Sequence, residues 1–418
     1  SMPILSLANR VITNNERIYP KELEVTRQNV TIPPKLLAYD ELFEQYHGVA
    51  AAIRDTMTPR EEIAVIFRNN SSADGIEVAL RELDIPCKRK GGTSFFDSRE
   101  VKALLDIYTL LVNESDMMAF IHVFEYAKGV GSGMAKEIYE ALKHLGAGSM
   151  YYGLFAPDPS IHNPFEKRKS NHQLGLFDDF IELGSLAKFA KLGFEEKFLK
   201  NNVLKHPRFT KESATFLHDF YTLFRELKGM KYPKIVVQKI AASPLFKYIA
   251  DSLATKRALL KDGSVDERQK EEALIRIRRK MMLLQELANP YAEHERFLNA
   301  MILGSQDLTQ GEGVNLLSVH ASKGLEYKEV YVVDLMDGRF PNRKLMQRGG
   351  SLDEERRLFY VAVTRAKDIL YLSYAKFDKV KKIDFVGSIF LYEAGLIAKD
   401  ESYRALVLKD LDKDDKED

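Results

Sequence analysis

The chain has 418 residues, 45% hydrophobic and 29% charged, which fits two or three domains with ordinary globular cores. No apolar run approaches a membrane span and no signal peptide opens the chain, while a single cysteine, Cys87, excludes an internal disulfide and a cysteine metal cluster and fits a reducing cytoplasm. With 62 basic against 61 acidic residues the chain is not coated in positive charge, although a local basic groove is all that nucleic acid requires.

Ser1-Met2-Pro3 reads as an artificial start, because ILSLANRVI already has the three-and-four apolar spacing of mid-helix; a truncated protein is expected. LLAY (36–39) predicts a short strand and 40–57 a helix with Asp40 as N-cap. IAVIF (63–67) predicts a buried strand, followed by a helix through Glu82, a short segment around Pro86, and an amphipathic helix over 98–112. Strands alternating with helices argue for a parallel sheet. From 113 to 307 the pattern is almost all helical, broken at APDPSIHNP (156–164) and KDGSVDE (261–267). Strand pattern returns at VNLLSV (314–319) and EVYVVDL (329–335), then come a helix over 352–367 and the strand ILYLSY (369–374). The charged end KDLDKDDKED predicts disorder. The expected fold is α/β: a parallel-sheet domain, 1–165 and 308–402, interrupted by a mainly α-helical insertion, 166–307, with a disordered tail, 403–418.

Several side chains stand where chemistry is possible. Arg68 follows a buried strand directly, so it can point out of the sheet edge; ordinarily such an arginine is a solvated surface charge. Arg365 falls in VAVTRA, on the helix predicted over 352–367. Ser318, His320 and Lys323 sit at or just beyond a strand end, and a hydroxyl, an imidazole and an ammonium suit phosphate oxygens; His320 as a hydrogen-bonding strap between loops is the other reading. GVGSGMA (129–135) is not a phosphate loop, because Met134 and Ala135 stand where glycine and lysine are needed. Gly129, Gly131 and Gly133 instead resemble a helix–hairpin–helix turn that offers backbone N–H groups to a DNA phosphate, with a plain interhelical turn as the alternative. Phe95 and Phe96 could stack on bases, but core packing is favoured for at least one ring. Lys102 reads equally as a phosphate contact or a solvated lysine. The acids Asp353-Glu354-Glu355 suit the start of a helix.

Long segments carry a resemblance in consistent order. GVNLLSVHASKGLEYKEVYVVDLMDGRFP (313–341) and EERRLFYVAVTRAKDILYLSY (354–374) resemble motifs V and VI of the UvrD/Rep/PcrA type of superfamily 1 DNA helicase. IAVIFRNN (63–70) resembles motif IV, GGTSFFDSREVKALLDIYTLL (91–111) the segment after it, and LANRVITNN the helix after motif III. The resemblance implies the C-terminal half of such an enzyme: a second RecA-like motor domain split by a mobile helical domain that touches duplex DNA. It implies Arg68 and Arg365 as γ-phosphate contacts, Arg365 being the arginine finger, with Phe67 stacked on the adenine and Glu326 on the ribose. It also implies Ser318, His320 and Lys323 on single-stranded DNA. Substrate ATP and Mg2+ would belong to the intact enzyme, because the sequence has no phosphate loop and no DExx magnesium motif; the missing N-terminal half would be the partner, and neither ligand is expected on this chain alone. DNA, single-stranded and duplex, is the expected partner, the location cytoplasmic, and a membrane role is not expected. Two alternatives remain: a fragment of an AddA/RecB-type helicase, or a non-catalytic DNA-binding or regulatory module of the same fold. A phosphate loop encoded upstream of Ser1 would favour a motor; a natural start at Met2 would favour the module.

Overall fold

A computed structural model of the chain describes residues 1–16, 32–165, 188–304 and 313–414. They form two compact units, Ser1–Phe95 with Gly304–Asp418, and Phe96–Leu303. The first unit holds a six-stranded sheet of β1 (Lys35–Tyr39), β2 (Ile63–Phe67), β3 (Cys87–Lys90), β4 (Val314–Ser318), β5 (Tyr327–Val332) and β6 (Ala366–Ala375). The order is β1-β6-β5-β2-β4-β3 and every pairing is parallel. Strands that run parallel need crossover connections, and the helices Leu42–Asp55, Asn70–Glu82 and Leu352–Val363 supply three of them, the last joining the neighbours β5 and β6. The chain leaves this unit after Phe95 and returns at Gly304, between the adjacent strands β3 and β4. This is the expected α/β architecture with a helical insertion.

β2 is central, and all five of its residues are buried, as a strand covered on both faces requires. Its side chains alternate between faces. Ala64 and Ile66 join a core with Ile4, Leu7 and Val11 of the helix Met2–Ile12 and with Phe359, Ala362 and Phe390. Ile63, Val65 and Phe67 therefore point the other way. At the end of β5, Asp334 adopts φ 60 and is buried. Its carboxylate accepts hydrogen bonds from Gln45 Nε2 (2.7 Å), the Tyr46 hydroxyl (3.1 Å) and Arg339 Nη2 (2.6 Å). That cluster pins the loop after β5 to the helix Leu42–Asp55. Burial in such satisfied company is what makes a left-handed aspartate tolerable.

Four expectations about elements change. The helix expected over 40–57 is Leu42–Asp55, and Glu41 rather than Asp40 caps it, accepting from the Phe43 N–H at 2.8 Å. The helix expected over 352–367 ends at Val363, so Thr364 and Arg365 form the turn into β6. The segment 96–165 does not share the sheet's unit: the helix Arg99–Val112 packs on helices Met117–Phe124, Pro233–Ala242, Pro244–Arg257 and Glu267–Ala288. The expected boundaries at 165/166 and 307/308 reach into 166–187 and 305–312, outside the described residues. Finally, most of the tail expected to be disordered belongs to a helix, Glu401–Asp414, started by Asp400 accepting from Tyr403 N–H, with Leu406 buried in the first unit's core. Residues 415–418 lie outside the described set.

The second unit is helical throughout its named elements. Its core is aromatic: Phe120 stacks on Phe124 at 4.1 Å, and Phe220 lies 4.2 Å from Phe224. Glu100 is buried against Arg257 (2.5 Å) and Lys280 (3.0 Å). Burial alone would raise its carboxyl, but the hydrogen bond from Arg257 and both positive charges hold it below the ordinary glutamate value.

Candidate functional site

Because the strands of the sheet are parallel, its two edges are chemically distinct. Residues that follow β2, β4 and β5 lie at the carboxyl edge, and residues that precede β5 and β6 lie at the amino edge. Sorting the candidates by edge separates them.

Arg365 and Glu326 share the amino edge. The Arg365 guanidinium donates to the Val361 carbonyl (3.0 Å), the Leu325 carbonyl (3.1 Å) and the Thr364 hydroxyl (3.3 Å). Its own carbonyl accepts from Tyr327 N–H at 2.9 Å. Arg365 thus brackets the segment Leu325–Tyr327, with exposed Glu326 at its centre. All three acceptors are neutral, so the guanidinium is rigidly held yet keeps its full charge. Burial pushes the neighbouring Tyr360 phenol up, opposed by the Arg365 charge. Ser1 joins this edge too, its nitrogen 3.2 Å from the Lys367 carbonyl. A fixed cation beside an exposed carboxylate is suited to a ligand carrying both phosphate and hydroxyl groups.

Ser318, His320 and Arg68 are at the carboxyl edge. Ser318 ends β4, and its hydroxyl accepts from Ala321 N–H at 3.2 Å. His320 opens a short 3-10 turn, His320–Ser322, and is exposed, as is Lys323 just beyond it. The eight residues 319–326 run from this edge back to the amino edge, so the segment containing Lys323 physically joins the two.

Arg68 and Arg365 are not brought together. Ile63 pairs with Glu329, and Tyr327 with Ala366. Tyr327 is therefore level with residue 61, seven residues before Arg68, which is about 23 Å along the strands. The Arg68 side chain is also engaged: Nε donates to both Glu355 oxygens (3.0 and 3.2 Å) and Nη2 to Oε1 (2.8 Å), with 10% of the arginine and 4% of the glutamate side chain exposed. Period-2 alternation explains this, since Arg68 follows Phe67 onto the face of Ala64 and Ile66, where the helix Leu352–Val363 packs. Phe67 is 0% exposed and points to the opposite face, so its ring offers no surface on which an adenine could stack. The expectation that both residues touch nucleotide is corrected on these grounds.

The remaining candidates scatter. Phe95 and Phe96 are both buried. Lys102 is exposed and paired with Asp97 at 3.0 Å. Gly129 and Gly131 lie in a turn that leads into the helix Ser132–Leu145, whose first turn holds Gly133; all three are exposed, with φ 82 at Gly129 and Gly131 as N-cap. A Cβ at any of the three would meet nothing within 4 Å, so the backbone there is open to a ligand. The turn belongs to the helical unit, not to the sheet domain where it was expected. Among the described residues no group of His, Cys, Asp and Glu could hold a metal ion, and no helix is long and apolar enough to cross a membrane.

Glu355 is the residue that sequence reasoning undervalued. It reads as one of three acids at a helix start, yet it lies four residues before Phe359 and seven before Ala362, both buried, so helical phase alone turns it inward.

Comparison with known proteins places the chain in a family. Residues 1–377 match the model of the UvrD-like helicase C-terminal domain. The chain is similar to a protein of Bacillus subtilis described as a putative ATP-dependent DNA helicase YjcD, with 26% identity over 89% of this chain and 42% of the relative. It is similar to DNA helicase II of Escherichia coli (26%, covering 89% and 46%) and to the ATP-dependent DNA helicase PcrA of Bacillus subtilis (26%, covering 89% and 45%). It therefore spans less than half the length of these curated relatives.

Proposed function

Since the chain belongs to the UvrD-like helicase C-terminal domain family, we propose that it works as the second motor domain of an ATP-dependent DNA helicase, together with that domain's helical insertion. The amino edge is the nucleotide edge. Arg365 is the arginine finger, offsetting charge that develops on the γ-phosphoryl group in the transition state, and Glu326 takes a ribose hydroxyl. The carboxyl edge carries single-stranded DNA, with Ser318, His320 and Lys323 on its backbone. The segment 319–326 couples DNA to nucleotide by joining the edges. The exposed Gly129–Gly133 turn receives a phosphate of duplex DNA on its backbone N–H groups. Translocation runs 3′ to 5′.

One observation carries this reading: Arg365 is held by three neutral acceptors, one of them the carbonyl of Leu325, the residue before Glu326. The phosphate loop and the ligands of the Mg2+ that accompanies ATP are assigned to the other motor half, because this sequence carries neither a phosphate loop nor a DExx motif. On its own the chain then holds one wall of the cleft and hydrolyses no ATP. Phosphate release by the isolated chain and by the full-length protein, each with and without single-stranded DNA, tests this. DNA-stimulated turnover is expected only in the full-length protein, with unwinding of duplexes bearing a 3′ single-stranded tail. Enzymatic turnover by the isolated chain would contradict it.

A further inference from the structure

The Arg68–Glu355 pair links the two edges, and its position suggests a use beyond holding the fold together. Arg68 follows β2, and the Phe67 carbonyl accepts from Val319 N–H at 3.0 Å, so Arg68 is a backbone neighbour of the Ser318–His320 segment. Its guanidinium grips Glu355 side-on through Nε and Nη2. The same carboxylate accepts from Asn342 N–H at 2.9 Å. Asn342 Nδ2 returns to Asn69 Oδ1 at 2.7 Å, and Asn69 Nδ2 donates to the Arg339 carbonyl at 3.0 Å. Residues 68 and 69 are thus stitched to the loop 339–342 and to the first turns of the helix Leu352–Val363. The last turn of that helix gives the Val361 carbonyl to Arg365. One rigid twelve-residue helix therefore joins the carboxyl-edge cluster to the amino-edge cation.

We infer that Arg68 and Glu355 are positioning residues that transmit DNA engagement at the Ser318–His320 segment, through the helix Leu352–Val363, to Arg365. The inference rests on the proposed function above. The side-on grip matters because a bidentate carboxylate fixes the guanidinium plane and resists rotation, so displacement of the end of β2 is passed to the helix instead of being absorbed by a side-chain torsion. Lysine at 68 keeps the charge and loses that rigidity.

The test uses the full-length protein and the variants R68K, E355Q, the double variant and R365A. The readouts are ATP turnover with and without single-stranded oligonucleotide, the KM for ATP, oligonucleotide affinity and the melting temperature. R68K and E355Q are each expected to lower the stimulation ratio by about tenfold, within the usual range of a coupling between sites. KM for ATP and DNA affinity should change less than about twofold, because neither residue touches a ligand, and the double variant should be no worse than the singles, because both act through one contact. A purely structural pair would lower the melting temperature and leave the ratio alone. Full stimulation in folded variants, or additive losses in the double variant, overturns the inference. R365A separates the two readings: if it turns over normally, the proposed function fails; if it is inactive while E355Q and R68K are stimulated normally, only the tie fails. Should E355Q not fold, R68K carries the same comparison.

Discussion

Replacing Arg365 by alanine removes two things whose sizes differ enough to be told apart. The first is structural. The Val361 and Leu325 carbonyls lose a charged donor at 3.0 and 3.1 Å. The side chain is only part-buried, so water takes over much of that duty, and the cost is about 1–2 kcal/mol of stability. The backbone bond from Tyr327 N–H to the residue 365 carbonyl survives, which keeps the turn in place. The second, on the proposed function, is catalytic. An arginine finger is worth roughly a thousandfold or more in turnover, about 4 kcal/mol of transition-state stabilisation. ATP affinity should fall far less, because the cation acts on charge that develops only in the transition state. Lysine should restore little, since one ammonium cannot meet the Val361 and Leu325 carbonyls and still present a planar fork to phosphate. Steady-state ATPase of the full-length protein, with thermal melts and oligonucleotide anisotropy on the same preparations, measures all three. A folded Arg365→Ala protein with turnover within about threefold of the parent would refute the reasoning and make Arg365 a structural brace.

Phe67→Ala should cost about 3–5 kcal/mol by opening a cavity in the sheet core, read as a lower urea midpoint, while ATP affinity in surviving protein stays unchanged; a selective loss of ATP affinity would restore the ring to the nucleotide site. Burial raises Asp106 from 3.8 to about 6, against the opposing charge of His122, so its stabilising neutral form is complete below about pH 4 and lost as pH rises through 6. Asp106→Asn should therefore stabilise the helical unit at pH 8 by up to about 3 kcal/mol, with the gain vanishing near pH 4; a melting temperature difference independent of pH would contradict this. Single-stranded DNA binding by the isolated chain should be weak and fall steeply with salt, as expected of phosphate contacts at one edge only; tight, salt-insensitive anisotropy would favour a dedicated binding module.

Much of the sheet was legible because its strands are short apolar runs between helices of clear 3.6-residue period, and β2 reads as buried at every position. Arg365 and Glu326 were singled out by family resemblance alone, and the register of β5 against β6 puts them at one edge of the sheet. Arg68 and Phe67 were misread because a motif assigns roles by type and order, whereas strand alternation assigns faces. One residue's difference sends Phe67 into one layer and Arg68 to Glu355 in the other. The unit boundary was missed for another reason: the apolar stripe of helix Arg99–Val112 would look the same whether it covered a sheet or other helices. The tail was called disordered from its charge, a reading that overlooks Leu406 with Tyr403 and Val407 packed against the core.

The central claim is that nucleotide meets this domain at the amino edge of its sheet. Photo-crosslinking the full-length protein with an ATP analogue that carries its reactive group on the γ-phosphate, followed by peptide mapping, tests it directly. The account predicts label in the segments around Leu325–Tyr327 and Tyr360–Arg365, lost in excess ATP. Label concentrated around Arg68 and Ser318 instead would contradict it.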